Sequence, residues 1–220
     1  MGKGKLIVLE GIDGSGKSAQ YRRICEKLNR DSIAYHHIVF PRYDKDSSAL
    51  IRMYLNGSFG DHPGDVNAYT ASTFFAVDRY ASYVQDWREF YQAGGLVVTD
   101  RYTTSNAVHQ ASKLPPEERE AYMRWLFGFE YGKLGLPEPD LVLFVDVDAE
   151  TAVSHLRKRE AETHTSADIH ERDTAYLAES IRAARQAAEL CRWRRLDGSA
   201  SVETIARQVE EEVERLCRRA

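Results

Sequence analysis

Residues Gly11 to Ser18 spell G-I-D-G-S-G-K-S, set between the hydrophobic run Leu6-Ile7-Val8-Leu9-Glu10 and a helix-forming stretch. A strand that turns through glycines straight into a helix is the opening of a βα unit, so the chain is committed to a parallel sheet with helices on its faces. The spacing G-x-x-x-x-G-K-[ST] also carries chemistry. Gly11, Gly14 and Gly16 allow the backbone to aim its N–H groups at a polyphosphate, at the positive end of the following helix. Lys17 supplies a point charge to the outer phosphates, and the Ser18 hydroxyl suits Mg²⁺.

The rest of the chain repeats that alternation. Short β-branched runs near 6–10, 33–40, 96–100, 141–146 and 193–196 are separated by helical patterns, which predicts an α/β fold with five parallel strands covered on both faces. Within 66–92, Phe74, Val77, Ala81 and Val84 recur at steps of three and four, predicting a helix whose apolar face enters the core. A last helix over about 201–218 carries Val202, Ile205, Val209, Val213 and Leu216 on one side, and Pro115-Pro116 reads as a helix start. With 220 residues, 43% of them hydrophobic, one domain is expected, with residues about 155–173 as a mobile lid.

Composition narrows the partners. A net charge of −4 argues against nonspecific binding to nucleic acid or anionic membranes, so phosphate affinity is concentrated locally and the partner is a small molecule. No apolar stretch approaches the roughly 20 residues of a membrane span, and the N-terminus lacks a signal-peptide core; a cytoplasmic protein is expected. Cys25, Cys191 and Cys217 are widely spaced and odd in number, which suggests neither a disulfide framework nor a zinc site.

Three further segments carry candidate chemistry. Leu96-Val97-Val98-Thr99-Asp100-Arg101-Tyr102 ends a buried strand in an aspartate facing the crevice where open α/β sheets bind ligands, so Asp100 is placed to meet Mg²⁺ directly or through water. The planar fork of Arg101 suits a phosphate. Phe40-Pro41-Arg42-Tyr43 ends the second strand, while Phe75 and Arg79, four apart on one helical face, are spaced to stack a base and donate to its carbonyl edge. The stretch from His155 to Asp173, mixed in charge and carrying Arg157, Arg159 and Arg172, has the character of a lid able to close over transferring phosphates.

The ordered set G-I-D-G-S-G-K-S, F-P-R-Y, F-F-A-V-D-R, D-R-Y-T-T-S-N and an arginine-bearing lid resembles the thymidylate kinases, P-loop nucleoside monophosphate kinases, over nearly the whole chain. The resemblance implies ATP- and Mg²⁺-dependent phosphorylation of dTMP to dTDP by a homodimer. The loop residues Gly11, Asp13, Gly14, Ser15, Gly16, Lys17 and Ser18 would hold ATP, with Ser18 and Asp100 on Mg²⁺. Asp13, Arg42 and Tyr43 would lie near the acceptor's sugar and phosphate. Phe75 would stack on thymine, Arg79 would donate to its O4, Arg101 would bridge the two phosphates, and Ser105 and Asn106 would face the base.

The chain departs from the family pattern in three places. His109 occupies the position where related enzymes pack a tyrosine under the sugar. Gly14 stands where some members carry a catalytic arginine. Asp168-Ile169-His170-Glu171 replaces a lid D-R-F-E, which leaves Arg157 and Arg159 as the candidate catalytic arginines and Arg172 as the third. Deoxynucleoside kinase and another nucleoside monophosphate kinase stay open as alternatives. A deoxynucleoside kinase would want a carboxylate after the second strand, where this chain has Phe40-Pro41-Arg42-Tyr43. A GTPase-like switch would want N-K-x-D, which the chain lacks.

Overall fold

The computed structural model describes residues 3–163 and 174–218, with side chains for all of these except 159–163 and 174. Five parallel strands, β1 (Lys5–Glu10), β2 (Tyr35–Val39), β3 (Leu96–Asp100), β4 (Leu141–Asp146) and β5 (Arg194–Asp197), form one sheet in the order β2-β3-β1-β4-β5. β1 lies between β3 and β4, with Leu9 in register with both Asp100 and Leu143. The chain therefore builds one half of the sheet on each side of β1, and a crevice opens beyond the carboxyl end of that strand.

Alternation along each strand fills two layers. Ile7, Leu9, Val98, Leu143 and Val145 point to one face, where α1 (Lys17–Arg30) and α9 (Val202–Arg218) cover them with Ile24, Leu28, Ile205, Val209 and Val213. Each of these aliphatic side chains contributes about 1.5–3 kcal/mol on burial. Leu6, Val8, Val97 and Val142 point to the other face, against Tyr83, Trp87 and Tyr91. Those three aromatics belong to a continuous run of α3 (Ala68–Ser82), a π-helical turn (Tyr83–Trp87) and α4 (Arg88–Gln92). The same side carries α5 (Thr103–His109), α6 (Pro116–Phe127), α7 (Ala149–Thr163) and α8 (Thr174–Leu190), and α2 (Ala49–Leu55) packs on α3. Pro116 is the first residue of α6, where its missing N–H costs nothing.

One expectation about α3 is overturned. Val77 is 54% exposed, whereas Ser72, Asp78, Arg79 and Ser82 are turned inward beside Ala68, Ala71 and Ala76. Polar groups can occupy the interior here because they find charged or hydroxyl partners there, Arg79 on Glu130 and Asp78 on Arg42. The three cysteines are free, and burial pushes the Cys191 thiol up to about 11. No helix among the described residues is long and apolar enough to cross a membrane.

Candidate active site

The glycine loop leaves β1 and ends at Gly16, whose left-handed backbone (φ 84°) directly precedes the first turn of α1. That turn itself holds no acidic residue, which leaves the positive end of the helix dipole open to an anion. Gly14 meets a second constraint. Its φ is 80°, and a Cβ there would lie 2.3 Å from the carbonyl oxygen of Ala152 on α7. His155, one turn further along α7, donates from Nδ1 to the Gly14 carbonyl at 2.7 Å. α7 is thus seated on the phosphate loop. A groove of about 380 Å³ runs along the loop's outer side, reaching Arg22, His155 and Lys158.

At the floor of the crevice Ser18 Oγ donates to Asp100 Oδ2 at 3.0 Å. The other oxygen, Asp100 Oδ1, is buried and has no hydrogen-bond partner among the described residues, and neither has Ser15 Oγ. An orphaned carboxylate oxygen beside a serine hydroxyl at a phosphate loop fits Mg²⁺, which takes one or two protein oxygens and completes its shell with phosphates and water. Lys17 is almost fully buried, 3.7 Å from Asp13. Burial and then the Arg101 charge lower its pKa, while Asp13, Asp100 and Glu10 work in the opposite direction.

Arg101 is the centre of the polar network. It leaves β3 with φ 68°, outside the ordinary range for a residue with a Cβ, held there by its N–H on the Leu9 carbonyl (3.0 Å) and by Thr99 Oγ1 donating to its carbonyl (2.7 Å). Its guanidinium is paired with Asp13 and donates to His109 Nε2 at 2.9 Å and to Ser105 Oγ at 3.4 Å. Burial opposes the charge on Arg101, but Asp13, Glu10 and Asp100 outweigh it and hold the pKa above its usual value. His109 must then accept at Nε2. Burial and the Arg101 charge push its pKa down to about 3.

Asp13, Lys17, Ser18, Asp100 and Arg101 also form one wall of a second cavity, of about 350 Å³. Its other walls bring together Tyr43, Phe75, Arg79, Ser105, Asn106 and His109, joined by Gln110. Phe75 is fixed edge-on by Tyr54, with ring centroids 6.3 Å apart. Arg42 is not among the lining residues: its guanidinium is paired with Asp78 and Asp86. Arg157 is exposed on α7. The side chain of Arg159, and Arg172 altogether, lie outside the described residues.

A family model described as thymidylate kinase matches residues 9–209. The chain belongs to the thymidylate kinase family. A thymidylate kinase of Mycobacterium tuberculosis is 32% identical over 170 residues, covering 76% of this chain and 78% of the relative. One from Ruegeria pomeroyi is 30% identical over 214 residues, 96% of this chain and 94% of the relative. The solved structure of thymidylate kinase from Candida albicans superposes with a TM-score of 0.70 at 22% identity, covering 96% of this chain and 92% of that one, which speaks to the fold. Membership in the thymidylate kinase family makes the chain a nucleotide kinase, a phosphotransferase acting on a mononucleotide.

Two buried carboxylates of this thymidylate kinase family member do not stand out in sequence. Glu10, at the end of β1, accepts from the Gly11 N–H (2.9 Å), Thr104 Oγ1 (2.6 Å) and Ser105 Oγ (2.8 Å), joining the phosphate loop to α5. Glu130 holds Arg79. Each leaves one faint trace, an acid inside an otherwise apolar run: L-I-V-L-E for the first and F-G-F-E-Y for the second.

Proposed function

We propose that this chain transfers the terminal phosphoryl group of ATP to dTMP, yielding dTDP, with Mg²⁺ as the metal, acting in the cytoplasm as a homodimer. The observation that carries the reading is that the loop groove and the 350 Å³ cavity share Asp13, Lys17 and Ser18. A triphosphate in the first and a monophosphate in the second would meet end to end at those residues. Gly11, Gly14, Ser15 and Gly16 would wrap the donor's phosphates, and Ser18 with Asp100 would hold Mg²⁺, whose chemistry is to draw charge from the phosphoryl oxygens. The acceptor is already a phosphate carrying about −1.5 to −2 at neutral pH, so positioning and positive charge matter more than a general base. Lys17, Arg101 and Arg157 or Arg159 would supply that charge.

On the acceptor side, Phe75 would stack on the base, Arg79 would donate to a carbonyl at position 4, and Ser105 and Asn106 would face the ring. His109 would lie under the sugar, and Tyr43 and Arg42 would lie by the sugar and phosphate, Arg42 on turning from Asp86. Homodimer formation is in keeping with the exposed Val77 and Tyr80 on α3. A panel of nucleosides and nucleoside monophosphates with ATP and Mg²⁺ tests the assignment. Cytosine presents an amino group at position 4, and leaving a donor facing a donor costs about 1–3 kcal/mol. We expect dCMP to react at least about tenfold less efficiently than dTMP, and thymidine not to react. Equal specificity constants for dCMP and dTMP would refute the base reading.

A further inference from the structure

Arg79 is 2% exposed and Glu130 0% exposed, and the two are locked as a fork on a fork. Arg79 Nε donates to Glu130 Oε2 at 2.7 Å and Nη2 to Oε1 at 2.5 Å. A guanidinium has five N–H hydrogens and no acceptor. Two are consumed by Glu130, and Nη1 sends another to the Tyr102 carbonyl at a long 3.4 Å. Arg79 lines the cavity beside Phe75, and the hydrogens it has left to offer a ligand there are those of Nη1 and Nη2, held in one plane. Glu130 itself does not line the cavity. It meets Arg79 from a π-helical turn (Gly128–Lys133) that follows α6, and it also accepts from Thr103 Oγ1 at 2.7 Å in the first turn of α5.

We infer that Glu130 is a positioning residue that sets base selectivity by fixing Arg79 as a donor-only edge in the cavity. The inference rests on the reading that Arg79 faces the acceptor's base. An arginine held at one corner can turn to suit either a carbonyl or, through a water, an amino group. An arginine clamped along its Nε–Nη2 edge cannot. Replacing the carboxylate by an amide keeps the volume but offers one acceptor and one donor, so one tine of the fork faces a donor and the clamp opens.

The test compares Glu130→Gln, Arg79→Gln and the double variant, reading thermal melts, kcat and KM for dTMP and dCMP, and the KM for ATP. Glu130→Gln should lower the dTMP-to-dCMP ratio of specificity constants at least fivefold, through KM for the acceptor, with KM for ATP within twofold of wild type. The double variant should match Arg79→Gln alone in that ratio, because Glu130 acts only through Arg79. If Glu130→Gln does not melt cooperatively, Glu130→Asp replaces it: the charge is kept, the reach is one methylene short, and the same fall in the ratio is expected. An unchanged ratio in the folded variant, or a double variant less selective than Arg79→Gln, overturns the inference. A wild-type enzyme with no preference for dTMP over dCMP sinks the underlying base reading instead.

Discussion

His109 gives the most quantitative prediction. Its imidazole is 7% exposed, accepts from Arg101, and has its pKa pushed from 6.5 down to about 3, by burial first and then by Arg101, with Lys17 and Lys113 adding to the effect and Asp13 opposing it. The native state therefore refuses a proton that the unfolded chain accepts. Above pH 6.5 neither state is protonated and the group has no effect. As pH falls through 6.5 the unfolded state alone gains the proton, so native stability drops until the pH reaches about 3. At about 1.4 kcal/mol per pKa unit the full loss is about 5 kcal/mol, of which about 2 kcal/mol has accrued by pH 5. Gln at position 109 keeps an acceptor for Arg101 but cannot titrate. Urea unfolding of wild type and His109→Gln at pH 7.5 and 5.0 isolates the contribution of the imidazole, since the carboxylates are common to both proteins. We expect the stability lost between those pH values to be about 2 kcal/mol smaller in the variant. Equal losses would mean that the native state protonates His109 readily and that its contact with Arg101 is not the one described.

Two further outcomes concern the proposed chemistry. Lys17→Ala and Arg101→Ala should each lose at least about 2.7 kcal/mol of transition-state stabilisation, the scale of one missing electrostatic donor, with cooperative melts retained; near-wild-type kcat in either variant removes that residue from the site. Arg157→Ala or Arg159→Ala should cut kcat strongly while calorimetric dissociation constants for ATP and dTMP change little, with Arg172→Ala milder; if all three variants keep wild-type kcat, the charge comes from Arg42 and Arg101 in the fixed core.

The elements that could be read from the sequence are those whose causes are local. The phosphate loop, its strand and its helix occupy one stretch of chain, and all five strands lie at or within two residues of the positions expected. The face of α3 could be read only in part, because periodicity counts Val77 as core and gives no reason to bury Asp78 or Arg79. The reversal depends on Glu130, 51 residues away, and on Arg42, which takes up Asp78. The acceptor cavity shows the same limit. Phe75 and Arg79 could be paired by helical spacing, but Gln110 and Glu130 acquire their places only when α3, α5 and the turn after α6 come together, and Glu10 only when β1 meets α5. Composition has no access to that meeting.

The close seat of α7 on Gly14 reaches beyond this one molecule. With the Ala152 carbonyl 2.3 Å from where a Cβ would begin, no arginine can arise at position 14 while the helix stays in place. Moving the helix first would break the His155 contact to the loop and bring no compensating charge. The loop residue and the helix position are therefore an epistatic pair, each tolerable only in the company of the other. If charge reaches the phosphates here as proposed, a lineage that moved it into the loop would have to cross both steps together, so position 14 taken alone understates the distance between the two arrangements.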